Sequence, residues 1–423
     1  MARPRTFDAS AVLDRAIDVF WRYGYEGTTI TELSATMGLS APSIYSAFGN
    51  KRGLFDAVLD RYTERQSERG AWILSAPTAK EVAERMLYRA ADELAKPDQP
   101  AGCLLIQAGL SASPENAHVP KELALRRRAA ELALRDRFRQ AKVAHDLPAD
   151  ADPTVLASYV IAVIGGLSVQ AAGGASRREL RKIVEQAMSC WHLQAGALAK
   201  ASFDGTHTSI EPPAAKPSNG RGRRREFDTD RALRDALRVF WLKGYEGASL
   251  SDLTDATGIT RPSLYAAFGN KDALFVQVLD LYEREELAYV RDALQAPTAR
   301  EVIKRYLMGV LKAQTTVDGP RGCLGVMTSM QCSDEARSVR EIVKQRHALG
   351  HAALIERFAL AKASGELLPS VEPEGLARLL EAIGQGLVLQ ASEGATEPEL
   401  RALVTTALSA LPLTLHALHR DRE

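Results

Sequence analysis

The chain has 423 residues, 46% of them hydrophobic, and its 54 Lys and Arg against 53 Asp and Glu leave a net charge of +1. That length has room for about two to four domains, and the near-neutral balance excludes binding to a polyanion through bulk charge alone. With no apolar run of about 18 residues, no signal-like N-terminus and four cysteines without scaffold density or CxxC spacing, we expect a soluble cytoplasmic chain with no membrane span, metal or cofactor.

The reading is helical throughout. Leu13, Ala16, Ile17 and Phe20 stand at i, i+3, i+4 and i+7, an amphipathic helix, with Asp8 as N-cap, Phe7 and Val12 as hydrophobic staple and Gly24 as stop. Thr29 and Glu32 have capping-box spacing and open a short second helix that ends at Gly38. A third helix begins near Ser40 with Pro42 in its first turn, where a missing N–H does no harm, and stops at Gly49. A longer fourth helix starts at Asn50-Lys51, and further helices are expected over 78–96, 100–113, 119–144, 152–173 and 176–199. Residues 201–226, punctuated by Pro and Gly and without helical period, read as a linker. Fully extended, it reaches roughly 80 Å.

Everything then recurs 220 residues on. Phe227-Asp228 repeats Phe7-Asp8, Gly244-Tyr-Glu-Gly247 repeats Gly24-Tyr-Glu-Gly27, and Ala267-Phe-Gly-Asn-Lys271 repeats Ala47-Phe-Gly-Asn-Lys51. The register persists through Gly102-Cys-Leu104 and Gly322-Cys-Leu324 to Gly166-Leu167 and Gly386-Leu387. A period this long is no solenoid, because each copy can bury its own core. The chain is a whole protein written twice and carries its own potential dimer partner.

The two short helices at 29–48 and at 249–268 have the proportions of a helix-turn-helix. The second helix of such a motif packs one face and keeps the other small and polar enough to enter a groove. Ile44, Ala47 and Phe48 suit the core, leaving Ala41, Ser43, Tyr45 and Ser46 outside, the tyrosine suited to donate to a phosphate oxygen. Lys51 adds charge where N–H groups point outward.

The stretch Thr28-Thr-Ile-Thr-Glu-Leu-Ser-Ala-Thr-Met-Gly-Leu-Ser-Ala-Pro-Ser-Ile-Tyr-Ser-Ala-Phe-Gly-Asn-Lys-Arg-Gly-Leu-Phe55 resembles the DNA-binding head of the TetR/AcrR family of transcriptional regulators, and 248–275 resembles it equally. The bodies also resemble that family's helical ligand-binding domain. The resemblance implies an all-α chain of two tandem units, each a three-helix head on a helical body. The divisions are 1–55 (head), 56–200 (body), 201–226 (linker), 227–275 (second head) and 276–423 (second body). It also implies a double-stranded DNA operator, a small effector expected to be apolar, and a four-helix bundle between partners, here about 152–199 with 373–418. Gly165-Gly166 and Gly384/Gly386 permit close helix approach there. Fusion replaces the usual homodimer with a pseudo-dimer inside one chain. The alternatives are a dimer of chains, four-headed and bridging DNA, or a thiol-sensing regulator.

The expected DNA contacts in the first copy are Thr29, Ser40, Ala41, Pro42, Ser43, Tyr45, Ser46 and Lys51, with Arg3 and Arg5 ahead of it. In the second they are Ser249, Thr260, Arg261, Pro262, Ser263, Tyr265, Ala266 and Lys271, with Arg223, Arg224 and Arg225 as a basic arm. Ala41 can at best touch a thymine methyl, whereas Arg261 can hold a guanine edge in a bidentate way, so unequal half-sites are expected. Cys103 and Cys323 sit in matching Gly-Cys-Leu turns and Cys332 follows; TetR-like oxidant sensors carry a cysteine in a similar segment. The plain reading is a small apolar residue at a helix start. Trp72, Met86, Trp191, His192 and Met327 read as core or pocket lining, and Arg126-Arg-Arg128 as a solvated face. No catalytic triad, paired carboxylates or phosphate-cradling loop stands out, so no enzyme is expected.

Overall fold

The computed structural model describes residues 8–109, 114–116, 118–189, 191, 228–316, 322–331 and 336–409. Arg3, Arg5, the linker 201–226 with Arg223, Arg224 and Arg225, and also His192 and Cys332 lie outside the described residues. The first half comprises α1 (Ala9–Gly27), α2 (Ile30–Met37), α3 (Ala41–Phe48), α4 (Lys51–Leu74), α5 (Ala79–Leu94), α6 (Leu104–Gln107), α7 (His118–Val143), α8 (Pro153–Ala172) and α9 (Arg177–Ser189). The second follows as α10 (Thr229–Gly247), α11 (Leu250–Thr257), α12 (Arg261–Phe268), α13 (Lys271–Glu285), α14 (Ala288–Leu294), α15 (Ala299–Thr315), α16 (Leu324–Gln331), α17 (Arg337–Ala363), α18 (Pro373–Ser392) and α19 (Glu397–Ser409).

Local signals place the helix ends. Asp8 accepts from the Ser10 and Ala11 amides, and Gly24 leaves helical geometry at φ 67, ψ 179. Gly38 and Gly258 close the second helices in the left-handed region. The helix expected over 100–113 is not formed as such. Gly102 has φ 91 and Cys103 is extended, so the chain turns helical only at Leu104–Gln107. The copies also differ: α4 is continuous, whereas its counterpart breaks at Leu287 (φ −99, ψ 14) into α13 and α14. The divisions at 55/56 and 275/276 fall inside α4 and α13, so head and body share a helix.

The two halves meet along α8 and α18. A Cβ on Gly166 would lie 2.2 Å from the Ala382 carbonyl oxygen, and one on Gly386 would lie 2.2 Å from that of Ala162. These contacts are each other's mirror under the 220-residue offset. The polar rim repeats the symmetry. Gln170 Nε2 donates to the Arg378 carbonyl at 3.0 Å, and Gln390 Nε2 to that of Ser158 at 2.9 Å. Gly165 also faces the seam, 3.0 Å from Leu389 Cδ1 for an added Cβ, but Gly384 packs against Tyr306 of its own half. One continuous apolar cluster holds Leu156, Val160 and Leu167 together with Leu376, Ile383 and Leu387.

That packing corrects two expectations. The 20-residue α8 is long and apolar enough to cross a membrane by composition, at mean hydropathy 1.9, so a run of that kind does exist. Its apolar character is accounted for by burial against α18. Arg126-Arg-Arg128 is only in part a solvated face, since Arg128 is exposed whereas Arg126 and Arg127 are half-buried. Arg126 pairs with Asp60 at 2.7 Å, Arg127 with Glu393 of the other half at 2.6 Å, and Arg128 with Glu131 at 2.7 Å.

Gly386→Ala should lower the urea midpoint by an amount equivalent to about 1–3 kcal/mol, the usual cost of overpacking. Gly350→Ala, on α17 with nothing within 4 Å of the new Cβ, should leave the midpoint unchanged or raise it by the equivalent of about 0.5–1 kcal/mol.

Candidate nucleic-acid interface

Each recognition helix is held by one buried residue in its middle, Ile44 in α3 and Leu264 in α12. Both have Pro at the second helical position and Ser or Thr as cap. Ser40 Oγ accepts from the Ser43 amide at 3.3 Å, and Thr260 Oγ1 from the Ser263 amide at 3.4 Å. The preceding helices open with full capping boxes. The Thr29 amide donates to Glu32 at 2.8 Å and Thr29 Oγ1 accepts from the Glu32 amide at 3.2 Å; Ser249 and Asp252 do the same at 2.9 and 3.1 Å.

Of the expected contacts, Pro42, Tyr45 and Ser46 are exposed on α3, with Ala41 and Ser43 half-buried. On α12, Arg261, Pro262, Ser263, Tyr265 and Ala266 form one exposed face, and the caps Ser40 and Thr260 lie open beside them. Among the described residues Arg261 makes no ion pair or hydrogen bond, so its guanidinium is available. Lys51 and Lys271 are less free than expected. Their Nζ atoms lie 4.6 Å and 4.4 Å from the centroids of Tyr25 and Tyr245, a cation–π contact, and burial lowers the Lys51 pKa.

The heads are tied to the bodies by a tryptophan whose role the sequence did not signal. Trp21 Nε1 donates to Gln107 Oε1 at 2.5 Å in a buried site, and the Tyr25 amide donates to the Ala108 carbonyl at 3.2 Å. In the second copy position 327 is Met, and Trp241 Nε1 instead reaches the Gly322 carbonyl at 3.3 Å, itself bound by Gln314. Both tryptophans stand edge-on to a tyrosine, Tyr62 or Tyr282. Each tyrosine hydroxyl in turn meets a half-buried thiol, Cys103 at 3.6 Å or Cys323 at 3.4 Å. Burial pushes both phenols well above their ordinary range. Of the other expected lining residues, Trp191 and Met327 are buried, Met86 is half-buried, and Trp72 is 55% exposed beneath Arg85.

Two helix-turn-helix heads with exposed recognition faces, each rooted in a helical body, define a DNA-binding regulator. The family described as "Bacterial regulatory proteins, tetR family" matches residues 12–58 and 232–278. The HTH-type transcriptional repressor ComR of Escherichia coli (strain K12) is 34% identical over 191 residues, covering 45% of this chain and 91% of ComR. The repressor BdcR of the same organism is 34% identical over 139 residues, 33% of this chain and 68% of BdcR. Among solved structures, a cysteine mutant of the TetR family regulator CifR, complexed with 26-bp double-strand operator DNA, is 37% identical over 45% of this chain and all of that chain, at a TM-score of 0.43. The chain belongs to the tetR family of transcriptional regulators, with two copies in tandem.

Gln107→Leu should cost about 1–3 kcal/mol in denaturant unfolding, the usual price of a buried donor left unpaired, here Trp21 Nε1. In the second head, hydrogen bonds from Lys243 and Ser249 lower the Asp252 carboxyl from 3.8 to about 2. A folded pKa below the unfolded one means that this stabilisation is complete above about pH 3.8 and is lost as pH falls toward 2. Asp252→Asn should therefore flatten that part of an acid titration followed by circular dichroism.

Proposed function

We propose that the chain is a ligand-responsive transcriptional repressor whose two heads grip one operator with unequal half-sites. The observation that carries this reading is the reciprocal seam of α8 and α18, with Gly166 against Ala382 and Gly386 against Ala162. It pairs the two bodies of one chain, and with them the heads that share α4 and α13. The names of ComR and BdcR as repressors support the sign of regulation.

Half-sites for paired helix-turn-helix heads lie about 34–36 Å apart, one turn of the duplex. A molecule bound in a body shifts that separation and removes simultaneous contact. Losing one head forfeits the tethering gain, which reaches about 10²–10⁴-fold. The DNA contacts are those on the exposed faces, with Tyr45 and Tyr265 on phosphates and Arg261 on a base edge. The basic arms at Arg3 and Arg5 and at Arg223, Arg224 and Arg225 add charge toward the minor groove. A four-headed, bridging dimer of chains requires a second interface, because α8 and α18 already cover each other. A thiol switch would act through Cys103 and Cys323 at the joint between head and body.

Binding-site selection should return one site with dissimilar halves, and mass measurement of the complex at stated salt should give one chain per site. Two chains per site would select the bridging assembly. Arg261→Ala should cost roughly 1–3 kcal/mol at one guanine pair and leave other positions unchanged. A perfect palindrome among the selected sites would refute the unequal reading.

A further inference from the structure

The second body contains a polar cluster for which the first has no equivalent. His347 and His351 stand one turn apart on α17, and Glu381 and Gln385 one turn apart on α18. The faces meet where His351 Nδ1 lies 2.8 Å from Glu381 Oε2. Joined by the short connection 364–372, these helices run antiparallel, which puts Gln385 level with His347. Tyr289 of α14 and Tyr306 of α15 add two rings 6.0 Å apart at 71°. Their places are made by glycines: a Cβ on Gly309 would lie 2.3 Å from the Tyr289 ring, and one on Gly384 2.9 Å from Tyr306.

Two atoms of this cluster are buried with no hydrogen-bond partner, His351 Nε2 and Gln385 Oε1. Buried polar groups are nearly always satisfied, and an exception calls for a missing partner. The carboxylate beside Nδ1 makes that nitrogen the proton donor, leaving Nε2 with a free lone pair. Both orphans are then acceptors. His347 turns its ring toward α16, where a Cβ on Gly325 would lie 2.7 Å from its Nε2.

The first body is built otherwise. The positions of Tyr289, Tyr306, Gly309, His347, Glu381 and Gln385 hold Arg69, Met86, Arg89, Arg127, Ile161 and Gly165. Arg69 and Arg89 pair with Glu93 at 3.5 and 3.2 Å, and Arg127 turns to Glu393 of the other half.

We propose that the second body alone holds the effector site, and that it takes a small neutral molecule presenting hydroxyl or amine donors on an aromatic frame. This rests on the ligand-responsive reading and narrows the apolar effector expected from the family. The donors satisfy His351 Nε2 and Gln385 Oε1, and the frame packs on Tyr289 and Tyr306. An anion is excluded because the two orphaned acceptors and the Glu381 carboxylate offer it no donor, and a neutral donor-bearing frame meets them without adding charge.

The test is calorimetric titration of the full chain with catechol, toluene and benzoate, followed by operator affinity with and without catechol. Catechol should bind at one equivalent per chain, and toluene and benzoate more weakly. Gln385→Leu should weaken catechol about tenfold or more. Tyr306→Met, which installs the first body's residue, should also weaken it, and Met86→Leu should not. Thermal melts confirm that each variant folds. Two equivalents per chain, equal binding of toluene, no catechol heat at millimolar concentration, or insensitivity to both second-body substitutions overturns the proposal. Operator release by catechol that persists in Gln385→Leu would overturn the site and keep the ligand-responsive reading. Catechol bound at this site without any change in operator affinity would sink that reading.

Discussion

The structure depends on one close approach, the backbone of α8 against that of α18 at Gly166 and Gly386. With a Cβ at either position the helices must separate, since the nearest atoms are backbone and cannot swing aside. Everything around the seam assumes that spacing: the shared apolar cluster, the reciprocal glutamine-to-carbonyl bonds, and the ion pairs Lys182–Glu374 at 2.8 Å and Arg378–Glu179 at 2.5 Å. The ion pairs are partly exposed and contribute little by themselves. The apolar area and the fit of the glycines set the geometry, and the polar rim sets the register.

From that seam outward the halves use one scaffold to different ends. The heads keep the same cap positions, turn glycines and buried anchor positions, yet α12 carries a guanidinium without a partner among the described residues where α3 has alanine. The joints keep the tryptophan and tyrosine pair, yet Trp21 is held by a side chain and Trp241 by a backbone carbonyl. The bodies diverge most, with surface ion pairs in one and a buried polar cluster in the other. Fusion permits this, because a substitution on one side of the axis no longer appears on the other.

The heads were legible because their signals are local. Capping boxes, left-handed glycines and Pro in a first turn act within four residues, and the repetition of the pattern confirmed it. The seam was half legible: Gly165-Gly166 pointed to close packing, but Gly384 had the same signature and serves Tyr306 instead. Arg127 was misread because its partner, Glu393, is 266 residues away in sequence. Over 100–113 the start was misplaced, because the positive φ at Gly102 and the extended Cys103 hold the helix back to Leu104. The polar cluster of the second body was visible only as a set of differences between copies, at Met86/Tyr306 and Ile161/Glu381.

The continuous cluster shared by both bodies has a consequence for exchange. Separate subunits of a dimer come apart on dilution and re-form with whatever compatible partner is present. Here the partner surface is part of the same chain and the same core, so opening the seam means exposing α8 and α18 together. The local concentration of one surface about the other is set by the chain and not by dilution. The exposed faces of α3 and α12, which differ at Ala41 and Arg261, are likewise bound to each other by the chain itself.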